Sequence, residues 1–385
     1  MARLDEIFDL QMGKTPSRNN ADYWTDGQYD WVSIADLGSY QKYVGDTKER
    51  ISALAVQESG IKSVPANTVI MSFKLSLGKT AITQEPVYTN EAIMAFIPTG
   101  KYAVLPDYFY YLFSAKDWIK GTNRAVMGTT LNKATLGAVS ITVPPIDEQH
   151  KIAAVLDKVS DLIAKRQQQL DKLDEAVKAR FVEIFGEPDE NPKHWQEDEL
   201  SHHLKVIGGY AFKSDGFTDE GIPVLRIGNI NSGHFLPVNM VYWPDDLALA
   251  RYKVFPGDLV MSLTGTVGKD DYGNVCILGA DYDEYYLNQR NAKLSIEKSL
   301  NKCYFSELLK FPRIKKRLTG ISRGIRQANI SNKDILTLRV PMPPIELQEQ
   351  FAAFVEQTEK TKIIISHSLG KLETLKKALM QEYFG

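Results

Sequence analysis

The chain has 385 residues, 43% hydrophobic, 24% charged and 10% aromatic, which fits folded globular units and excludes a disordered or fibrous polypeptide; its length favours two such units over one core. Lys and Arg number 46 against 48 Asp and Glu, a net charge of -2, so the basic excess that usually accompanies phosphate neutralisation is missing and charge must be judged segment by segment. Two cysteines, Cys276 and Cys303, argue against a disulfide framework or a cysteine metal cluster, and the absence of a signal-like start or of about 18 consecutive apolar residues predicts a cytoplasmic protein with no membrane contact.

The first lobe, residues 1–143, alternates short β-rich runs such as Val69-Ile70-Met71 and Ile93-Met94-Ala95-Phe96-Ile97 with Gly, Pro, Asn and Asp turns. A helical stretch around Asp107 to Lys120 follows. Together these predict a mixed α and β domain with a curved antiparallel sheet. Residues 144–186 then read as one long helix, opened by Pro144-Pro145 and by Asp147 and Glu148 in the first turn, and stopped by Gly186. About 39 helical residues would span roughly 60 Å, a length that asks for a partner helix. Ile152, Leu156, Val159, Ile163, Leu170, Leu173 and Val177 recur in steps of four and three, the seam of a coiled coil.

Residues 187–194, including Glu187-Pro188-Asp189-Glu190-Asn191-Pro192, form a polar, turn-rich linker. A second lobe, 195–342, has the same texture, with Val224-Leu225-Arg226-Ile227 as a strand and Tyr304 to Arg317 as helix. From Lys310 to Arg326 the chain carries seven basic residues and no acid, a surface that could face phosphates or simply solvent. Residues 343–385 form a second long helix with Phe351, Val355, Ile365, Leu369, Leu372 and Leu379 on its seam.

The second helix repeats the first. Pro145–Gly186 aligns without a gap to Pro344–Gly385, with thirteen of 42 pairs identical, including Pro145/Pro344, Ile146/Ile345, Gln149/Gln348, Leu170/Leu369 and Gly186/Gly385. Arg166 lines up with Ile365, Arg180 with Leu379 and Lys362 with Ile163, which favours antiparallel packing of one copy on the other. Fainter echoes join the lobes: Trp31–Leu37 with Val224–Ile230, Ser72–Gly78 with Ser262–Gly268, and Tyr88-Thr89-Asn90-Glu91 with Tyr286-Leu287-Asn288-Gln289. The fold class expected is α+β: two mixed domains separated by two long helices that pair as an antiparallel coiled coil, with a pseudo-two-fold internal repeat.

Catalytic signatures are missing from the sequence. Leu77-Gly78-Lys79-Thr80 ends like a phosphate-binding loop, but Phe73 stands where its first glycine belongs. Neither Asn-Pro-Pro-Tyr nor Asp-Pro-Pro-Tyr occurs, so this chain lacks the pocket that holds a flipped adenine for methyl transfer. There is no Glu-x-Lys of the common nuclease signature, and His150, His194, His202, His203, His234 and His367 have no zinc-like spacing. No catalytic, cofactor-binding or metal-binding residue is assigned.

The Pro144-Pro145-Ile146-Asp147-Glu148-Gln149 and Pro343-Pro344-Ile345-Glu346-Leu347-Gln348 openings, the closing Phe185-Gly186 and Phe384-Gly385, and Gly13-Lys14-Thr15-Pro16-Ser17 with Trp31-Val32-Ser33-Ile34 resemble the specificity subunits of type I restriction-modification systems, over essentially the whole chain. Leu347 departs from the acid of the first copy, and Gly208-Gly209-Tyr210-Ala211-Phe212 replaces the Gly-x-Thr-Pro-Ser pattern in the second lobe. The resemblance implies two target-recognition domains, each reading half of an asymmetric split sequence in double-stranded DNA, with the helices as ruler and docking surface for two methyltransferase subunits, joined by restriction subunits. It implies no cofactor in this chain, whereas the partner subunits would use S-adenosylmethionine, ATP and magnesium. Arg can bond guanine edges, Asn or Gln adenine, and Thr the thymine methyl. On that basis the candidate DNA contacts are Lys14, Arg18, Lys74, Lys79, Asn90 and Arg124 in the first lobe, and Arg226, Asn229, Thr264, Lys269, Gln289, Arg323, Arg326 and Gln327 in the second. Alternatives are the specificity subunit of a bipartite type II restriction-modification enzyme and a coiled-coil scaffold that does not bind DNA.

Overall fold

The structure is a computed structural model that describes residues 1–74, 76–118, 131–230, 233–269, 271–320 and 327–385. The chain divides into two compact units, residues 1–167 with 367–385, and residues 168–366. Among the described residues no helix is long and apolar enough to cross a membrane.

The first unit is built on two sheets. One takes strands β1 (Phe8–Met12), β4 (Val69–Ser72), β5 (Thr80–Ile82) and β7 (Ile93–Pro98) in the order β1-β7-β4-β5, all antiparallel. The other takes β2 (Tyr29–Val32), β3 (Glu49–Ile51) and β6 (Tyr88–Thr89), in which β2 runs antiparallel to β3 but parallel to β6. Strand alternation explains how the larger sheet is covered on both faces. Val69, Met71, Met94 and Phe96 share a core with Phe109 and Phe113 of helix α1 (Pro106–Ala115), while Ile70, Ala81, Ile93 and Ala95 share one with Val32 and Val87 from β2 and the approach to β6.

The second unit repeats this plan. Strands β8 (Leu204–Gly208), β12 (Leu259–Ser262), β14 (Val275–Ile277) and β16 (Asn291–Ile296) are ordered β8-β16-β12-β14. Strands β9 (Ile222–Leu225), β10 (Val241–Trp243), β11 (Lys253–Val254) and β15 (Tyr285–Leu287) are ordered β10-β9-β15-β11, with β9 and β15 parallel. Among the described residues each domain is therefore built on two larger sheets, one with a parallel pair, rather than on a single curved antiparallel sheet. The runs read as strands are buried on both faces, so they lack the alternation that would have exposed the second layer.

The long helices are α2 (Ile146–Phe185) and α5 (Ile345–Phe384), 40 residues each. The boundary between the units falls inside both. Gly186 adopts φ 81°, and its amide donates to the Val182 carbonyl at 2.8 Å, a left-handed stop that a side chain would strain. Within the first unit the start of α2 meets the end of α5: Ile152 and Phe384 pack on one core, and Lys376 sits 5.9 Å from the ring of Tyr111, whose hydroxyl donates to Asp157 at 2.6 Å. Within the second unit the end of α2 meets the start of α5. Lys362 bonds Asp174 at 2.6 Å, and Phe181 lies edge-on to Phe351 at 5.4 Å. Both sets of contacts require antiparallel pairing. Leu156, Val159, Val177, Phe351 and Val355 are buried, and Ile152, Ile163, Leu170, Leu173, Ile365, Leu369, Leu372 and Leu379 are half-buried. The pairing also uses Phe181 and Phe185, which the heptad reading did not include and which both lie against Phe351.

Candidate nucleic-acid interface

Each unit is fastened to a long helix by one buried glutamine. Gln149, in the first turn of α2, accepts from the Leu105 amide at 2.9 Å and donates to the carbonyls of Ala103 and Pro144, both at 2.9 Å. Gln348, at the same place in α5, accepts from the Asn301 amide at 2.8 Å and donates to Pro343 at 2.8 Å and Ser299 at 3.4 Å. Both side chains are 0% exposed. They close the gap between each α-helix start and the loop that leads into α1 or into α3 (Lys302–Leu308).

Away from the latch, three loops converge in each unit. In the first, the Gly13 amide donates to Ile93, Lys14 to Thr89, and Asn90 to Val32. In the second, the Gly209 amide donates to Asn291 and Tyr210 to Leu287. A Cβ on Gly13 would overlap the Thr89 carbonyl, and one on Gly209 the Asn288 carbonyl. Gly209 is therefore the counterpart of Gly13, and the departure from the Gly-x-Thr-Pro-Ser pattern changes side chains on a retained backbone.

Ser33 and Asp36 form a reciprocal cap at 3.1 Å in each direction, and the Arg226 amide donates to Asn229 at 2.9 Å in the matching place. Asn229 is 3% exposed and also donates to Leu236 and Val238, both at 2.9 Å. Its side-chain amide thus bonds three backbone groups that hold this turn. Asn90 is similarly engaged, donating to Thr15 at 3.0 Å and accepting from Ala92 at 2.8 Å.

The hairpin turns differ. Ser72 and Ser262 are both 0% exposed, and each fixes the return strand through its hydroxyl, which accepts from the Lys79 amide at 3.1 Å in one unit and from Asn274 at 3.2 Å in the other. The amides of Gly78 and Gly273, with φ 82° and 68°, close the turns on Ser72 and Ser262. Gly78 thus corresponds to Gly273 and not to Gly268, and Lys79 to Asn274 rather than to Lys269. The turn in the second unit is longer. Its extra residues make strand β13 (Thr264–Thr266), which pairs with β17 (Gln327–Asn329). Gly78-Lys79-Thr80 leads into β5, whereas a phosphate-binding loop leads into a helix.

Exposed cations and aromatic plates line these loops. Arg18 lies 3.7 Å over Trp24 and forks onto Glu49, whose pairing raises the guanidinium above its ordinary range and holds the carboxyl below its own. Arg251 lies 4.6 Å over Tyr252, which packs 5.2 Å from Tyr210. Among the described residues no cluster of His, Cys, Asp and Glu is placed to hold a metal ion.

A family model described as the type I restriction modification DNA specificity domain matches residues 1–175 and again 192–377. The chain belongs to that family. A type I restriction enzyme specificity subunit of Methanocaldococcus jannaschii, MjaIX, is 28% identical over 273 residues, 66% of this chain and 62% of the relative. The MjaVIII specificity subunit of the same organism is 24% identical over 99% of this chain and 90% of its own length. The crystal structure of a type I system S subunit from M. genitalium shares the fold at a TM-score of 0.58 and 15% identity, covering 100% of this chain and 95% of that one. The two matched segments of this specificity subunit carry the two repeated domains described above.

Of the remaining candidates, Lys14 is exposed and its ammonium reaches the Ser59 carbonyl, Lys74 lies 5.2 Å from the Phe73 ring, and Lys79 is exposed at the hairpin turn. Arg226 donates to the Asn239 carbonyl, Thr264 is half-buried on β13, and Lys269 and Gln289 are exposed. Arg124, Arg323 and Arg326, and the side chain of Gln327, lie outside the described residues. Of the basic run from Lys310, Arg313 and Lys316 are exposed on helix α4 (Pro312–Thr319), while Lys315 is 9% exposed and donates to Asn274 at 2.7 Å. Sequence reading passed over Thr266 and Val267, although Thr-x-Gly-Lys is a turn signal that could have found them.

Proposed function

We propose that this specificity subunit reads a bipartite, asymmetric duplex, one half with each domain, and that its long helices dock methyltransferase subunits, joined in the full assembly by restriction subunits in the cytoplasm. The observation that carries the reading is a duplicated frame with unlike turns. The latches, the glycine at each loop convergence and the buried serines recur, while the turn after Ser262 is extended. Two similar frames with different turns suit two different short sequences. In this scheme S-adenosylmethionine, ATP and magnesium belong to the partner subunits.

Ile363 and Ile364, adjacent on α5 and 67% and 71% exposed, supply an apolar surface for a methyltransferase subunit. The test is to assemble the chain with its methyltransferase, map methylated adenines, then exchange residues 1–143 for those of another family member. One half of the methylated sequence should change while the other persists. If both halves stay as they were, the lobes do not do the reading. Replacing Ile363 and Ile364 with Glu should prevent copurification with methyltransferase, and unaltered assembly would refute the docking role.

A further inference from the structure

The extended turn of the second unit has features of a reading element. Strand β13 pairs antiparallel with β17, Thr264 opposite Asn329 and Thr266 opposite Gln327, to make a two-stranded ribbon. Its root is fixed in the core: Leu263 and Ile330 are 7% and 2% exposed, and the Ile330 amide donates to Leu263 at 2.8 Å. At the outer end of the ribbon β13 runs into a tip that is a four-residue turn ahead of Asp271, Thr266-Val267-Gly268-Lys269, closed by the Lys269 amide on the Thr266 carbonyl at 3.0 Å, with Gly268 at φ 80° in the third position that needs it.

Asp271 stiffens the tip. Its carboxylate accepts from the Thr266 amide at 2.8 Å, and that bond, foremost among several contacts, holds it below the ordinary carboxylate range. A Cβ on Gly265 would overlap the Asp271 carboxylate, so only glycine lets the two come together. The tip residues Thr266, Val267, Gly268 and Lys269 are exposed, Val267 to 42%. At the base, the Tyr272 hydroxyl donates to Thr319 at 2.8 Å, tying the ribbon to α4, where Arg313 and Lys316 are exposed.

A major groove admits a two-stranded ribbon. A valine methyl suits the thymine methyl there, a threonine hydroxyl either pattern of base edge, and a lysine the guanine O6 and N7. We infer that the tip Thr266-Val267-Lys269 enters the major groove and sets the base preference of the half-site read by the second domain, with Arg313 and Lys316 on the flanking phosphates. This rests on the function proposed above.

Val267→Ser and Lys269→Met change exposed side chains at a turn whose glycine and Asp271 cap remain, so the fold should persist, checked by an unchanged Tm. The complete complex with its methyltransferase is offered a pool of randomised duplexes, and bound sequences are counted. The expected result is a loss of about tenfold in discrimination at one or two positions of a single half-site, with the other half unaltered. An unchanged consensus overturns the inference, as does uniform weakening across all sequences, which would make the tip a phosphate contact. Failure of the underlying function is distinct: the unsubstituted complex would then show no sequence preference at all.

Discussion

Replacing Gln149 by Leu should destabilise the first unit by about 2–8 kcal/mol. The side chain is 0% exposed and bonds three backbone groups at 2.9 Å, the Leu105 amide and the carbonyls of Ala103 and Pro144. A buried backbone group left without its partner costs about 1–3 kcal/mol, and the extra apolar burial of leucine returns roughly 1 kcal/mol of the total. Glutamate in the same place discriminates further. It still accepts from Leu105 but directs a second oxygen at two carbonyls that can only accept. Burial and those carbonyls raise its folded pKa above the unfolded value near 4.3, so its contribution is retained below about pH 4.3 and lost as pH rises through the raised pKa. Measured as Tm differences from the parent at each pH, together with hydrogen exchange at the Leu105 amide, Gln149→Glu should be more damaging at pH 8 than at pH 5. A cost for Gln149→Leu below about 1 kcal/mol, or a pH-independent penalty for Gln149→Glu, would refute the latch.

Alanine at Gly13 or Gly209 should cost about 1–3 kcal/mol each, seen as lowered Tm, because the new methyl meets a carbonyl oxygen of the neighbouring loop. Glu49→Gln should change stability by less than about 1 kcal/mol, since the pair with Arg18 is largely exposed, yet release Arg18 for phosphate and tighten duplex binding at low salt; equal affinity across a salt titration would exclude Arg18 from the interface. Burial pushes the Asp107 carboxyl up, but the Lys42 ammonium at 2.6 Å and the Tyr43 hydroxyl outweigh it and leave the pKa lowered. Its contribution is present above an unfolded pKa near 3.9 and is lost as pH falls through the lowered value, so Asp107→Asn should flatten the decline of Tm with acid below about pH 4.

The long helices were legible because their signals are local: prolines and acids at the start, glycine at the stop and a four-three spacing between. The register of Trp31 with Val224 and of Tyr88 with Tyr286 was also legible, since both pairs lie in the parallel strand pairs β2/β6 and β9/β15. The second sheet of each domain was not. A strand buried on both faces, such as Val69–Ser72, carries no alternation to reveal what lies behind it. The matching of Gly78 to Gly268 failed for a different reason. Gly268 and Gly273 both have positive φ in one loop, and only the bonds to Ser262 show which of them closes the hairpin.

Hydrogen bonds likewise show which polar side chains the fold itself uses. Asn229, Gln149 and Gln348 are held by backbone amides and carbonyls, and Asn90 by the Ala92 amide and the Thr15 hydroxyl. Once such framework groups are set aside, the positions free to differ without disturbing a buried bond lie in turns, and there the units do differ, by the ribbon that follows Ser262. The net charge of -2 fits the same logic. Arg18 pairs with Glu49, Lys253 with Asp245 and Glu284, and Lys293 with Asp258, so these cations are partnered within the chain. Arg313 and Lys316 are exposed on α4 beside the ribbon, where the inference drawn above puts the flanking phosphates.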